Sequence, residues 1–485
     1  MKTTKSAAEV RFGRRSFSAG LLAAPWAASW ASPRAAMAAA RRPNVLFFLT
    51  DDESWLERSL YGWSKFPTPH FDRVAKEGVL FTHAYTSAPS CAPSRASVLT
   101  GRNFWELEQG AFIQAWLPQK FPVLPDLMEE GGYHAGFTGK GWGPGVLPPS
   151  GRKRNPAGTA YNRILRAERE PEMSPIDYAA NCEDHAGRRP QGRPFWFWAG
   201  TNEPHGPYGA ENYKKLARYG IAPESVKVPG FVADTPKMRR ERENFSYEVR
   251  HADEDLGRML GILEKRGELA DTLVIVTSDN GTAIPRSKTN VYDWGVREPM
   301  AVMWPSRVKG GRVVDDFVNF IDFAPTMLEA AGLRVPAEMS GRSFMDVLTS
   351  GRQGRVDAAR SWTASGLEWH GEFDPVSFAG RMIRDERYQY VVNYGKRPVE
   401  LPGEEGKERP REELYDCRED PWQLKNLAGL AGHAAVLERL RGELTAYQKK
   451  TGDPRATGRM EVFDQTRQYV QERKRRGYPG GVGGG

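Results

Sequence analysis

Cysteine is nearly absent: Cys91, Cys182 and Cys417 are the only three in 485 residues. That is too few for a disulfide scaffold in a chain of this size. A Cys182–Cys417 bridge is the conceivable pairing, and it leaves Cys91 as a lone thiol that needs its own explanation. Long hydrophobic runs are also missing. The most apolar segment, Ala19 to Ala31, is interrupted by Pro25 and Ser29 and followed by Ser32, so it falls short of the ~20 apolar residues of a membrane span. Charge of one sign is scarce once position is considered. Of the formal +8, +5 lies in the first 40 residues, and the rest of the chain is close to neutral at about +3. That balance excludes nucleic acid as the principal partner, while local basic pockets for an anion stay open. No internal repeat is visible.

What is present begins with Arg14-Arg15-Ser16-Phe17, a weakly apolar stretch, and small residues ending in Ala36-Met37-Ala38-Ala39-Ala40. Residues 1–40 read as a cleaved twin-arginine signal, which implies the Tat translocon as a partner, an exported protein (periplasmic or secreted) and no stable membrane anchor. At the other end, residues 456–485 carry Arg473-Lys474-Arg475-Arg476 and a glycine-rich terminus, read as a disordered basic tail.

Three continuous apolar runs predict buried strands: Asn44–Thr50, Phe195–Ala199 and Thr272–Thr277. Each stops at polar, chemically capable residues: Asp51-Asp52, Asn202 to His205, and Asp279-Asn280. Helical spacing of Leu256, Met259, Leu260 and Leu263, and of Phe323, Met327 and Leu328, places helices between and after them. The alternation predicts an α/β sheet covered on both faces, with sites at the carboxyl ends of its strands. Residues 41–355 are read as the catalytic domain, with Arg152–Pro194 as an insertion or surface excursion. Shorter β-type runs such as Tyr388–Val392, then an amphipathic helix with Val436, Leu437, Leu440, Leu444 and Tyr447, make 356–455 a small C-terminal α+β unit.

Around Cys91, Pro93 suits the first turn of a helix and Gly101 its exit, so the thiol sits at the positive end of a short helix where an anion is favoured. A buried free cysteine acting as a small hydrophobe is the plainer reading. The whole string Cys91-Ala92-Pro93-Ser94-Arg95-Ala96-Ser97-Val98-Leu99-Thr100-Gly101 decides against it, because it resembles the type I sulfatase signature position for position. The resemblance implies an alkaline-phosphatase-like large mixed sheet sandwiched by helices, with a smaller C-terminal α+β domain containing an antiparallel sheet. It also implies that Cys91 is oxidised to formylglycine (3-oxoalanine) by a formylglycine-generating or sulfatase-maturating enzyme, and that the hydrated aldehyde is the nucleophile.

Asp51, Asp52, Asp279 and Asn280 offer hard oxygen donors suited to Ca²⁺ or Mg²⁺. The resemblance favours Ca²⁺, with the modified Cys91 as a further ligand. It further assigns Arg95 to the nucleophile, Lys140 and Lys288 to the sulfate oxygens, and His205 to the bridging oxygen. The implied reaction is attack on sulfur, protonation of the leaving group by His205, and release of sulfate as the aldehyde re-forms.

One position departs from the pattern. Many sulfatases have a histidine two residues after the lysine matching Lys140, and this chain has Trp142. Trp142 cannot act as a base; it stacks on a sugar or packs in the core. His370 is a candidate replacement, and Trp142, His370 and Arg384 are candidate substrate contacts. The stretches Asp271–Gly281, Thr289–Tyr292, Glu413–Asp416 and Asn426–Ala428 resemble the heparan N-sulfatase (sulfamidase) branch. The expected substrate is a sulfated glycan carrying O-sulfate esters, with N-sulfoglucosamine as the alternative. A phosphoester or phosphonate hydrolase of the same superfamily is the rival reading, disfavoured because Asp279-Asn280 stands where two-metal members need Asp-His.

Overall fold

The computed structural model describes residues 42–370, 379–463 and 466. The expected export segment and most of the expected tail therefore lie outside the described residues. Among the described residues no helix is long and apolar enough to cross a membrane.

The main sheet has seven strands: β1 (Asn44–Thr50), β2 (Val79–Tyr85), β3 (His134–Gly139), β4 (Phe195–Gly200), β5 (Thr272–Ser278), β6 (Arg297–Met303) and β7 (Arg312–Asn319). Their spatial order is β3-β4-β1-β5-β6-β2-β7. The first four are mutually parallel, β6 runs antiparallel to both neighbours, and β7 is parallel to β2. The three apolar runs picked out in the sequence, β4, β1 and β5, are thus immediate neighbours at the centre. Parallel register puts Leu49 opposite Gly200 and Thr50 opposite Ser278, so all three polar segments emerge at one edge.

Two-sided burial explains why these strands are continuously apolar. Val45, Phe47 and Leu49 face one core, shared with Phe323, Met327 and Leu328 of the Phe323–Ala330 helix. Leu46 and Phe48 face the other, shared with Leu256, Met259, Leu260 and Leu263 of the 30-residue Pro236–Lys265 helix. At about 1.5–3 kcal/mol for each large apolar side chain taken fully from water, this central trio is the main favourable term for the region.

The Arg152–Pro194 stretch is only partly a surface excursion. Its Tyr178–Arg188 helix buries Tyr178, Ala179 and Cys182 in the second core. All three cysteines are free, so the conceivable Cys182–Cys417 bridge does not form.

A second, antiparallel sheet has the order β11-β10-β9-β8 (Glu412–Asp416, Tyr388–Asn393, Gly380–Asp385, Trp362–Leu367). The Ala434–Lys450 helix covers it through Leu437, Leu440 and Leu444, which join the same core as β1. β8 also runs beside the segment before Cys91: Gly366 N–H donates to the Ser87 carbonyl at 3.0 Å and Ser365 Oγ to that of Thr86 at 2.6 Å. That seam carries the end of β8, and His370 after it, to the catalytic edge of the main sheet.

Candidate active site

Cys91 opens a helix that ends at Thr100 and whose ten residues are all buried. Gly101 follows at φ +65°, the left-handed exit that glycine adopts without strain. The thiol points at the ends of β1, with Sγ 3.5 Å from Asp51 Oδ1 and 4.0 Å from Asp52 Oδ1. Burial first, then the Asp51 charge, pushes the Cys91 thiol up to about 12. As an encoded thiol it is protonated and a poor nucleophile at neutral pH.

The strand ends are cross-tied. Asp52 N–H donates to Asp279 Oδ1 at 3.1 Å, and Asn280 Nδ2 donates to Asp52 Oδ1 at 2.7 Å. Asp52 itself sits at φ +70°, an unusual backbone for a residue with a side chain. Asp51, Asp52, Asp279 and Asn280 are all buried. Asn280 Oδ1 has no hydrogen-bond partner among the described residues. Asp51, Asp52, Cys91 and His205 each place a donor atom within 4.8 Å of the others. Buried hard oxygens plus an orphaned amide oxygen fit a divalent cation of the calcium or magnesium type.

Cations surround these acids. Arg95, fully buried, donates from Nε to Asp279 Oδ2 at 2.7 Å and from Nη1 to the carbonyls of Lys140 at 2.6 Å and Gly141 at 3.1 Å. Its Nη2 makes no hydrogen bond among the described residues and lies 3.8 Å from Asp51 Oδ2. One guanidinium thereby ties the helix that opens at Cys91 to the ends of both β5 and β3. Lys140 pairs with Asp51, and Lys288 Nζ lies 2.6 Å from Asp52 Oδ2. Burial works against charge on both lysines, but the facing carboxylates outweigh it and both stay protonated. Burial likewise opposes ionisation of Asp51, yet Lys140, His205 and Arg95 hold its carboxyl well below the usual range. Asp279 is displaced upward by burial and by Asp51.

Two histidines complete the site. His205 is exposed; its Nδ1 meets the Gly206 carbonyl at 2.6 Å, which as an N–H donor leaves Nε2 for the cleft, 3.7 Å from Asp52 Oδ2. His370 Nδ1 meets Ser90 Oγ at 2.9 Å, next to Cys91 in the chain. Burial, then Lys288 and Lys140, drops His370 to about 3, so its imidazole is neutral.

A cleft of about 500 Å³ brings Asp51, Cys91, Lys140, Lys288, His205 and His370 together. Trp142 also lines it, but as a wall embedded in the main core, nearly fully buried and held through its backbone by Asn155 at 3.0 Å on both sides. The expectation for Arg384 fails. It lies buried on β9, 3.5 Å from Asp293, outside the cleft lining. Its placement on the strand turns it toward an internal carboxylate, a direction that spacing alone does not reveal. Residues the sequence reading did not assign also line the cleft, including Ile113, Met173, Asn202, Glu203 and Glu248. Glu203 could have been found, since it adjoins Pro204-His205. Glu248 carries no local signal, being one charged residue among many in a long helix.

Comparison with known proteins gives consistent matches. The sulfatase family model matches residues 43–333, and the model for the C-terminal part of N-sulphoglucosamine sulphohydrolase matches 286–450. The chain is 28% identical over 436 residues to an ulvan-active sulfatase of Formosa agariphila, covering 86% of this chain and 82% of that protein. It is also 28% identical over 478 residues to human N-sulphoglucosamine sulphohydrolase, covering 86% and 91% respectively. A solved structure of a protein in complex with its substrate D-glucosamine-2-N,6-O-disulfate superposes with TM-score 0.68 at 20% identity, covering 85% of this chain and 98% of that one. A phosphonate monoester hydrolase from Silicibacter pomeroyi shares the fold at TM-score 0.63, 20% identity, 85% and 96% coverage.

Proposed function

The chain belongs to the sulfatase family, sulfuric ester hydrolases that work through a formylglycine and a divalent metal, and on that footing we propose that it removes O-sulfate esters from sulfated carbohydrates, using position 91 as the nucleophile and Ca²⁺ as the metal. The observation that carries the reading is the convergence of Cys91, Asp51, Lys140, Lys288, His205 and His370 on one cleft. The sulfatase relatives with carbohydrate names support the substrate class.

In this reading Asp51, Asp52, Asp279 and Asn280 Oδ1 hold the cation, and Mg²⁺ is the alternative ion for the same oxygens. The hydrated formylglycine supplies the oxygen that attacks sulfur. Lys140, Lys288 and Arg95 Nη2 receive the sulfate oxygens, where fixed positive charge stabilises the charge that develops in the transition state. Lys140 and Lys288 are already aimed there by their anchors on Asp51 and Asp52. His205, when protonated, presents Nε2–H to the departing oxygen. His370, tied through Nδ1 to Ser90 Oγ beside position 91, is the residue proposed to take the proton released there when sulfate leaves. That assigns to His370 the role left open by Trp142.

N-sulfated glucosamine is the second reading, favoured by the match of residues 286–450 to the N-sulphoglucosamine sulphohydrolase C-terminal model. We propose further that residues 1–40 direct the folded protein through the twin-arginine pathway, after a formylglycine-generating or sulfatase-maturating enzyme has acted on Cys91. Release of free sulfate from a panel of defined 2-, 3-, 4-, 6- and N-sulfated mono- and disaccharides tests the substrate reading. Failure on every sugar, with turnover of a phosphate diester or phosphonate instead, would sink it.

A further inference from the structure

Part of the cleft wall is built from a different chemistry than its cationic floor. Glu248 lies in the middle of the Pro236–Lys265 helix, between Tyr247 and Val249, which belong to a small apolar cluster with Phe245 and Leu216. Its side chain is 1% exposed and yet it lines the cleft. Oε1 accepts from Asn212 Nδ2 at 2.9 Å, and Oε2 has no hydrogen-bond partner among the described residues. A fully buried carboxylate met only by neutral donors, Asn212 and the Gly209 N–H, is poorly compensated, so the carboxyl retains its proton. Burial, then the nearby buried Glu203, pushes Glu248 up to about 9, against smaller opposing contributions from the Gly209 N–H, Asn212 and Lys215. Because Oε1 is occupied as an acceptor, the proton resides on Oε2, which makes that atom a buried donor with nothing to donate to.

We infer that Oε2 of Glu248 is a recognition contact for an uncharged oxygen, a hydroxyl or the ring oxygen, of the sugar that carries the scissile sulfate. The inference rests on the carbohydrate reading above. The charge pattern selects the oxygen type. The sulfate is claimed by Lys140, Lys288 and Arg95, while Glu172 and Glu203 on the same cleft disfavour a second anionic group nearby. Glu248 is thereby a specificity residue for the leaving sugar, separate from the sulfate-binding machinery.

The test uses Cys91→Ala protein, which binds without turnover, titrated calorimetrically with inorganic sulfate and with a sulfated monosaccharide. E248Q keeps an acceptor for Asn212 and a donor for the sugar, so its sugar affinity should stay within about 2-fold of the parent. E248L removes both and should weaken sugar binding by about 5- to 10-fold, the worth of one neutral hydrogen bond, while leaving inorganic sulfate unchanged. A pH series keeps the inference testable if E248L folds poorly. Above about pH 9 the sugar affinity of the parent should change as Glu248 ionises and Oε2 turns from donor to acceptor, among Glu203, Lys215 and Tyr208, whereas that of E248Q should not. Equal sugar affinity in E248L and parent, parallel loss of sulfate and sugar binding, or identical pH series for parent and E248Q would overturn the contact. A parent that binds inorganic sulfate but none of the sulfated sugars would instead overturn the carbohydrate reading, and this contact with it.

Discussion

Asn280 donates from Nδ2 to Asp52 Oδ1 at 2.7 Å across 228 residues of chain, and its own buried Oδ1 has no partner among the described residues. A side-chain amide satisfied on one end only is a costly arrangement in a packed interior. It is explained if the second end is a metal ligand, which orients the prediction that follows.

Chelation with excess EDTA should abolish sulfate release, and added Ca²⁺ should restore it more fully than Mg²⁺ at equal concentration. Asn280→Ala should lower the calcium content of purified protein, measured by elemental analysis, by removing one oxygen donor. Full activity after exhaustive chelation would remove the metal from the mechanism.

Cys91→Ala should eliminate turnover while retaining binding of sulfated sugar, because the cationic groups proposed to meet sulfate, Lys140, Lys288 and Arg95, are left in place. Sulfate release and calorimetry on the same preparation separate the two effects. In wild-type protein from its native host, the mass of the tryptic peptide around Cys91 should show loss of the thiol; an unmodified peptide in active protein contradicts the assigned nucleophile.

Arg95→Ala should damage both fold and function. It strips the buried Asp279 carboxylate of its 2.7 Å partner and unties the Lys140 and Gly141 carbonyls. Breaking one side of such a buried pair costs about 3–5 kcal/mol, which denaturant unfolding would register as a lower midpoint at unchanged slope.

His370→Ala should lower kcat with little change in KM, since the imidazole is assigned to proton transfer at position 91 and not to holding sulfate. Added imidazole should restore part of kcat. An unchanged kcat would return His370 to a packing role against Ser90.

Acid should destabilise the protein through His185. Both of its ring nitrogens are buried and have no hydrogen-bond partner among the described residues, and the ring stacks on His134 at 4.4 Å between centroids. Burial, then His134 and Arg189, lowers His185 to about 2. An unfolded histidine takes a proton near its ordinary value of ~6.5. The stabilising preference for the neutral ring is therefore complete above that pH and is lost as pH falls toward the folded value. Between pH 8 and pH 5 this one residue should cost about 2 kcal/mol. His185→Phe, which keeps a ring among Phe195, Phe197 and Tyr161, should flatten the dependence of Tm on pH over that range.

Local signals were strong wherever chemistry and backbone geometry coincide in a short stretch. The three apolar runs announced the strands that became the sheet centre. The eleven residues from Cys91 to Gly101 announced a helix with Cys91 at the start and its glycine exit at the end. Arg384 and Glu248 mark the limit. Each is a charged residue in a regular element, and whether it faces the cleft or an internal partner depends on how a strand or helix is rotated against the rest of the fold. Trp142 shows the same limit, since packing and sugar contact are both compatible with its sequence, and the structure embeds it in the core as a wall of the cleft.

The amino-acid sequence by itself determined the α/β alternation, the nucleophile helix and the acids at the strand ends, because side-chain periodicity and turn chemistry act over a few residues. Only the tertiary structure decided that β4, β1 and β5 are neighbours, that Arg95 bridges Asp279 to the Lys140 and Gly141 carbonyls, and that His370 and Glu248 share a cleft with Cys91. The physical reason is that those relationships join residues up to 280 apart, and they are selected by burial and hydrogen-bond satisfaction across the whole core, which no local stretch encodes.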